Sequence, residues 1–196
     1  MLLPQMNLPT GTSPSGGTFS GEGPKVPQEG GGGACFPAGA IVQLHSGALV
    51  PMSQLKLGDR VLVSATQKRE DAFSGIFLFT HRDAEITSWF VRIHHSQDLG
   101  TPFMASPGHY LYVNDVLTAA EAIKVGDMLR VAHMDGTSRV SRVEYVTAKG
   151  LFNPQTAHGD IVVNGVLAST FTTTVKPSVA LRFADPHPRH RLSFGD

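Results

Sequence analysis

From position 35 onward the chain shows short apolar runs that alternate with polar residues and break at turn dipeptides, the pattern of half-buried strands. AIVQLH and ALVPM flank Ser46-Gly47 as a hairpin-like pair. RVLVSA, FSGIFLF, SWFVRIH and FMASPGHYLYV follow, rich in β-branched and aromatic residues that suit a pleated surface. RVAHMDGTSRVSRVEYV should turn at Asp135-Gly136 and DIVVNGVLASTF at Asn164-Gly165, both dipeptides that tolerate the positive φ of tight hairpins. TAAEAI at 118–123 is the single helix-like stretch. The expected fold class is all-β.

A repeat lies within this pattern. SQLKLGDRVLV (53–63) matches EAIKVGDMLRV (121–131) as apolar-Lys-apolar-Gly-Asp followed by apolar positions. The same offset, within a residue, sets FSGIFLF (73–79) against VSRVEYV (140–146). Two related halves that pack alike predict a pseudo-two-fold fold made by duplication. In each half the Gly-Asp marks a turn entering a strand.

Composition sets the boundaries. Residues 1–34 are rich in Gly, Pro, Ser and Thr without any hydrophobic period, and read as a flexible linker. The globular part runs over 35–176, and 177–196 form a short tail with Pro and His in place of an amphipathic pattern. Hydrophobic residues make up 41% of the chain and charged ones 16%, enough apolar surface for one ordinary core. Lys plus Arg number 16, as do Asp plus Glu, so no basic stripe exists to track phosphates; nucleic acid is not an expected partner, and a monomer is. MLLPQMNLPTG lacks a basic n-region and is broken by Pro4, unlike a signal peptide; the compartment stays open, secretory if a longer precursor supplies a leader.

Cys35 is the one cysteine of the chain, so no internal disulfide forms, and it stands where the glycine tract ends. A lone cysteine is commonly a small buried apolar residue. The same residue is also a nucleophile next to the Ala34 carbonyl. Attack there closes a five-membered ring and exchanges the Ala34–Cys35 amide for a thioester. The departing α-amine then needs a proton, which a histidine can give near neutral pH. His109, in Ser106-Pro107-Gly108-His109, is the candidate donor, and the Ser106 hydroxyl can bond the scissile peptide. No metal is expected: neither His94-His95 nor His187/His190 has carboxylate or cysteine ligands at zinc spacing. Gly30–Gly33 lack the flanking strand and helix of a phosphate cradle, and no cofactor is expected.

The stretch CFPAGAIVQLHSGALVPMSQLKLGDRVL, together with SPGH and GDIVVNGVLAS, resembles the Hint domain of hedgehog-type autoprocessing proteins over about 35–175. The resemblance implies a pseudo-two-fold all-β Hint fold and single-turnover self-cleavage with the chain's own N-terminal segment as substrate. It assigns Ser106 and His109 to the family's Thr-x-x-His block, with Ser in place of the commoner Thr. Where the family carries an Asp that activates a sterol hydroxyl, this chain has His81, in Phe79-Thr80-His81-Arg82-Asp83. His81 can still serve as general base for water, an alcohol or a lipid hydroxyl, and Asp83 is a possible substitute. Thr170 stands where the family has a second cysteine, so no other thiol can receive the acyl group. The short segment after the last strand leaves no room for a sterol-binding region, so sterol transfer is not expected. Splicing is not expected either, because Asn164 is followed by Gly165 and more strand. Two rival readings stand beside self-cleavage: an inactive Hint-like spacer or interaction module, and a cysteine hydrolase acting in trans.

Overall fold

The computed structural model describes residues 35–63, 72–98, 100–132 and 136–172. The linker with Ala34, the 177–196 tail and Asp135 of the Asp-Gly turn lie outside the described residues. Among the described residues eleven antiparallel strands form one continuous network: β1 (Ile41–Gln43), β2 (Leu49–Pro51), β3 (Arg60–Leu62), β4 (Phe73–His95), β5 (Phe103–Ala105), β6 (His109–Val113), β7 (Val116–Ala119), β8 (Met128–Arg130), β9 (Thr137–Thr156), β10 (Asp160–Val163) and β11 (Val166–Thr172). The order across it is β2-β1-β10-β11-β6-β8-β9-β4-β3, with β5 beside β4 and β7 beside β6. No α-helix occurs among the described residues; Met52–Gln54 and Ala120–Ala122 form single 3-10 turns.

The repeat holds down to its hydrogen bonds. Lys56 N–H donates to Asp59 Oδ2 at 2.8 Å, and Lys124 N–H to Asp127 Oδ2 at 2.8 Å. Gly58 N–H reaches the Ile76 carbonyl at 2.8 Å while Gly126 N–H reaches that of Val140 at 2.9 Å. The Asp59 carbonyl accepts from Ile76 N–H and the Asp127 carbonyl from Val140 N–H. Both glycines take positive φ, +87° and +100°, which explains why each turn needs glycine before its aspartate. Each 3-10 turn precedes its Gly-Asp, so TAAEAI has a counterpart at Met52–Gln54 that propensity alone does not reveal.

The offset needs one correction. These bonds make Ile76 equivalent to Val140, whereas the sequence match set Phe73 against Val140. The two halves differ in the length of the connection after β3 and β8, so one offset does not serve both turn and strand.

FSGIFLF and SWFVRIH are not separate strands but parts of the 23-residue β4. It pairs with the 20-residue β9 from Ile76↔Thr156 to His95↔Val140, a long ribbon interrupted by bulges. The Asn164-Gly165 hairpin forms as expected, with Val163 opposite Val166. The main core gathers Phe36, Met52, Leu55, Val61, Ile76, Phe103, Leu111, Leu129, Phe152 and Ile161.

The last seven residues of β9, 150–156, are all buried. Their sequence GLFNPQT carries Gly, Asn and Pro, and so hides a central strand from pattern reading. Gly150 explains one of these: its φ is +86°, and a Cβ there would lie 2.6 Å from Ala38 Cβ and 2.9 Å from Ala38 N. That approach lets the chain at 36–38 dock, with Ala38 N–H on the Lys149 carbonyl at 2.8 Å. Gly150→Ala is therefore expected to cost about 2–4 kcal/mol, from positive-φ strain plus overpacking. Urea unfolding checks this: a loss under 1 kcal/mol would show that the 36–38 segment yields easily.

Candidate active site

Cys35 and Phe36 run as an extended segment between two neighbours. Phe36 N–H and C=O face β9, bonding the carbonyl and N–H of Phe152 at 2.8 and 3.0 Å. The alternation of an extended chain then turns Cys35 N–H and C=O to the other side. There Cys35 N–H donates to Ser106 Oγ at 2.6 Å, and Ser106 N–H donates to the Cys35 carbonyl at 2.8 Å. Residue 106 thus holds both backbone groups of the candidate nucleophile, and its hydroxyl sits on the nitrogen of the expected scissile bond.

Ser106–His109 is a tight turn between β5 and β6, closed by His109 N–H on the Ser106 carbonyl at 3.0 Å. Pro107 at its second position fixes φ where such turns want it. Glu121 N–H anchors the turn through the Pro107 carbonyl at 3.0 Å. His109 is fully buried, its ring 4.1 Å from that of Phe36. Its Nε2 lies 2.8 Å from the Ser169 carbonyl oxygen. A carbonyl only accepts, so Nε2 carries the hydrogen and Nδ1 becomes the atom that can take up or release a proton.

The Cys35 side chain is also fully buried, packed with Phe90 and Leu151. Burial in these apolar surroundings pushes the thiol pKa from 9.0 up to about 12. The structure therefore holds a neutral thiol at neutral pH, and its proton must move as sulfur attacks.

His81 and Asp83 lie one strand further out, on β4. His81 is the register partner of Asn153 and Asp83 that of Leu151. The Phe36–Phe152 bridge sets Cys35 opposite Asn153, so Cys35, Asn153 and His81 form one row across three neighbouring segments. Partners in such a row share a sheet face, and two strand spacings put the Cys35 and His81 backbones about 10 Å apart. Asn153, on β9, stands between Cys35 and His81 in that row.

Asp83 has a different employment. Its Oδ1 accepts the N–H groups of Glu85 at 2.9 Å and Ile86 at 3.2 Å, and these bonds hold its carboxyl below the usual range. It shapes the β4 bulge and is a weak base. Thr170 is likewise occupied. Its hydroxyl donates to the Gly159 carbonyl at 3.0 Å, and its own carbonyl accepts from Gln155 Nε2 at 2.9 Å. It fastens β11 beside the Ser169 carbonyl that orients His109.

His94 is engaged by acidic neighbours, Nδ1 3.3 Å from Asp98 Oδ2 and Nε2 3.2 Å from Glu144 Oε1. Among the described residues no group of three or more His, Cys, Asp or Glu is placed to hold a metal ion. Sequence reasoning missed Asn153, Gln155 and the Ser169 carbonyl. Polar residues inside an otherwise apolar closing region were the available signal, but their partners are distant in sequence.

A family model described as the Hint module matches residues 27–193. The hedgehog protein of Drosophila virilis is 34% identical over 155 residues, 74% of this chain and 32% of that protein. The sonic hedgehog protein of Danio rerio is 32% identical over 165 residues, 78% of this chain and 39% of that protein. The chain thus spans well under half the length of these curated relatives. Among solved structures, the gp41-1 intein matches with a TM-score of 0.57 at 16% identity, covering 70% of this chain and 98% of the intein. A bacterial intein-like domain from Clostridium thermocellum matches at 0.56 and 22%, covering 69% and 97%. At these identities the structural likeness speaks to the fold.

Proposed function

The chain belongs to the Hint module family, and on that premise we propose that it is an autoprocessing domain that cuts the Ala34–Cys35 bond with the Cys35 thiol. The observation that carries this reading is the grip on the scissile nitrogen: Cys35 N–H on Ser106 Oγ at 2.6 Å, with His109 in the same turn. As Cys35 Sγ attacks the Ala34 carbonyl, a C–S bond forms and the C–N bond breaks. The thiol proton ends on the departing nitrogen, so the shift is proton-neutral overall. His109 Nδ1 is the relay for that proton, and the Ser169 carbonyl keeps the imidazole in the tautomer the relay needs. Ser106 Oγ accepts an N–H hydrogen throughout and favours the nitrogen as it becomes an amine.

The thioester is then resolved by water or a small nucleophile, with His81 as general base. Hydroxylamine tests the reading directly because it attacks thioesters and leaves amides intact. Incubation of the purified chain at pH 7 should release residues 1–34 as the hydroxamate, and as the free acid in buffer alone, both read by mass spectrometry. A chain of unchanged mass after prolonged exposure to hydroxylamine and to dithiothreitol would sink the proposal, and would favour a spacer or interaction module.

A further inference from the structure

Asn153 is a buried polar side chain with no structural task assigned to it. It is 4% exposed, and its Oδ1 has no hydrogen-bond partner. Nearly all buried polar atoms are paired, so an orphan acceptor in a central strand calls for a reason. Its position supplies one. Asn153 faces Cys35 on one side through the Phe36–Phe152 bridge and His81 on the other through the β4–β9 register.

The backbone around it is irregular. Pro154 has no N–H for the ladder, and opposite it the register slips between Phe79 and His81, leaving Thr80 as an extra residue. The Thr80 hydroxyl donates to the Asn153 carbonyl at 3.4 Å across this bulge. Such a bulge turns β4 side chains and re-aims His81 relative to a regular strand.

The N-to-S shift also changes where the acyl carbonyl sits. Cys35 nitrogen points along the sheet toward Ser106, whereas its sulfur stands on the sheet face with Leu151. The acyl group therefore leaves the Ser106 edge and arrives on the face that Asn153 and His81 share. We propose that Asn153 is the residue that seats the acceptor: Oδ1 accepts one O–H of a water held between the Cys35 thioester and His81.

This rests on the self-cleavage reading and adds its second step. For water, one O–H is held by Asn153 and the other faces the His81 imidazole, which directs a lone pair at the thioester carbon. The C–O bond forms and the C–S bond breaks. The water proton passes to His81, and the Cys35 thiolate is reprotonated from it. The amide of Asn153 takes no proton; it sets the angle of attack.

The test separates the two steps. Release of residues 1–34 is followed in buffer alone and with dithiothreitol, which brings its own nucleophile to the thioester. In Asn153→Ala the ratio of hydrolytic to thiol-induced release should fall at least tenfold. Asn153→Asp, which keeps an acceptor oxygen, should restore most of that ratio, and this rescue guards against a merely misfolded alanine variant. Adding Asn153→Ala to His81→Ala should change the ratio by less than twofold, since both act on one bound nucleophile. An unchanged ratio in Asn153→Ala, or equal losses with and without thiol in both Asn153 variants, overturns the inference. Absence of thiol-induced release in the unmodified chain would instead overturn the self-cleavage reading beneath it.

Discussion

Cys35→Ala is expected to abolish release of residues 1–34 under every condition, including hydroxylamine and dithiothreitol, while the domain stays folded. The chemical part is absolute, because no other thiol exists in the chain to form a thioester. The structural part is small. Cys35 is buried against Phe90 and Leu151, and losing one sulfur atom there costs on the order of 1 kcal/mol. The hydrogen bonds of residue 35 to Ser106 are made by the backbone and survive the substitution. Loss of cleavage therefore reads as lost chemistry, provided thermal unfolding confirms a folded variant.

The same variant carries a pH signature. The folded thiol is raised from 9.0 to about 12 by burial, so above pH 9 the unfolded chain releases its proton and the folded chain does not. By linkage, the thiol contributes stability below pH 9 that fades as pH rises toward 12. The unmodified chain should lose stability relative to Cys35→Ala across that window. Tyr112 and Tyr145 are also raised, but they titrate alike in both proteins and cancel in the difference. Parallel stability curves from pH 8 to 11 would show that the thiol is hydrated rather than buried.

His109→Gln should slow thiol-induced release about 10²–10⁴-fold at pH 7, the range lost when a positioned proton donor is removed. Glutamine is chosen over alanine because His109 is fully buried and bonds the Ser169 carbonyl. An alanine there would remove that hydrogen bond, at a cost of about 0.5–1.5 kcal/mol, and open a cavity beside Phe36. Glutamine can still donate to the carbonyl but cannot relay a proton. Release within threefold of the unmodified rate would remove His109 from the first step and leave Ser106 to act alone.

Some of this was legible because it is local. The Gly58-Asp59 and Gly126-Asp127 turns need positive φ and a carboxylate aimed back at a lysine N–H, so residue type and spacing report them directly. The Asn164-Gly165 hairpin is of the same kind. Strand type follows from the alternation of apolar residues, and a thiol bordering a glycine tract is visible without coordinates. Ser106 and His109 sit within one four-residue turn, so their pairing was readable as a motif.

The tertiary structure decided what depends on register. That residues 150–156 form a central strand follows from Phe36 on one side and β4 on the other, contacts that override the Gly, Asn and Pro in that stretch. The tautomer of His109 depends on a carbonyl 60 positions away, and the row of Cys35, Asn153 and His81 on three segments far apart in sequence. A one-residue slip would send Asn153 to the opposite face, and no local preference forbids that slip. Sequence alone therefore determined the strand type, the local turns and the candidate nucleophile. Packing of distant segments determined which side chains meet around it, because cross-strand register is fixed by the whole buried core at once.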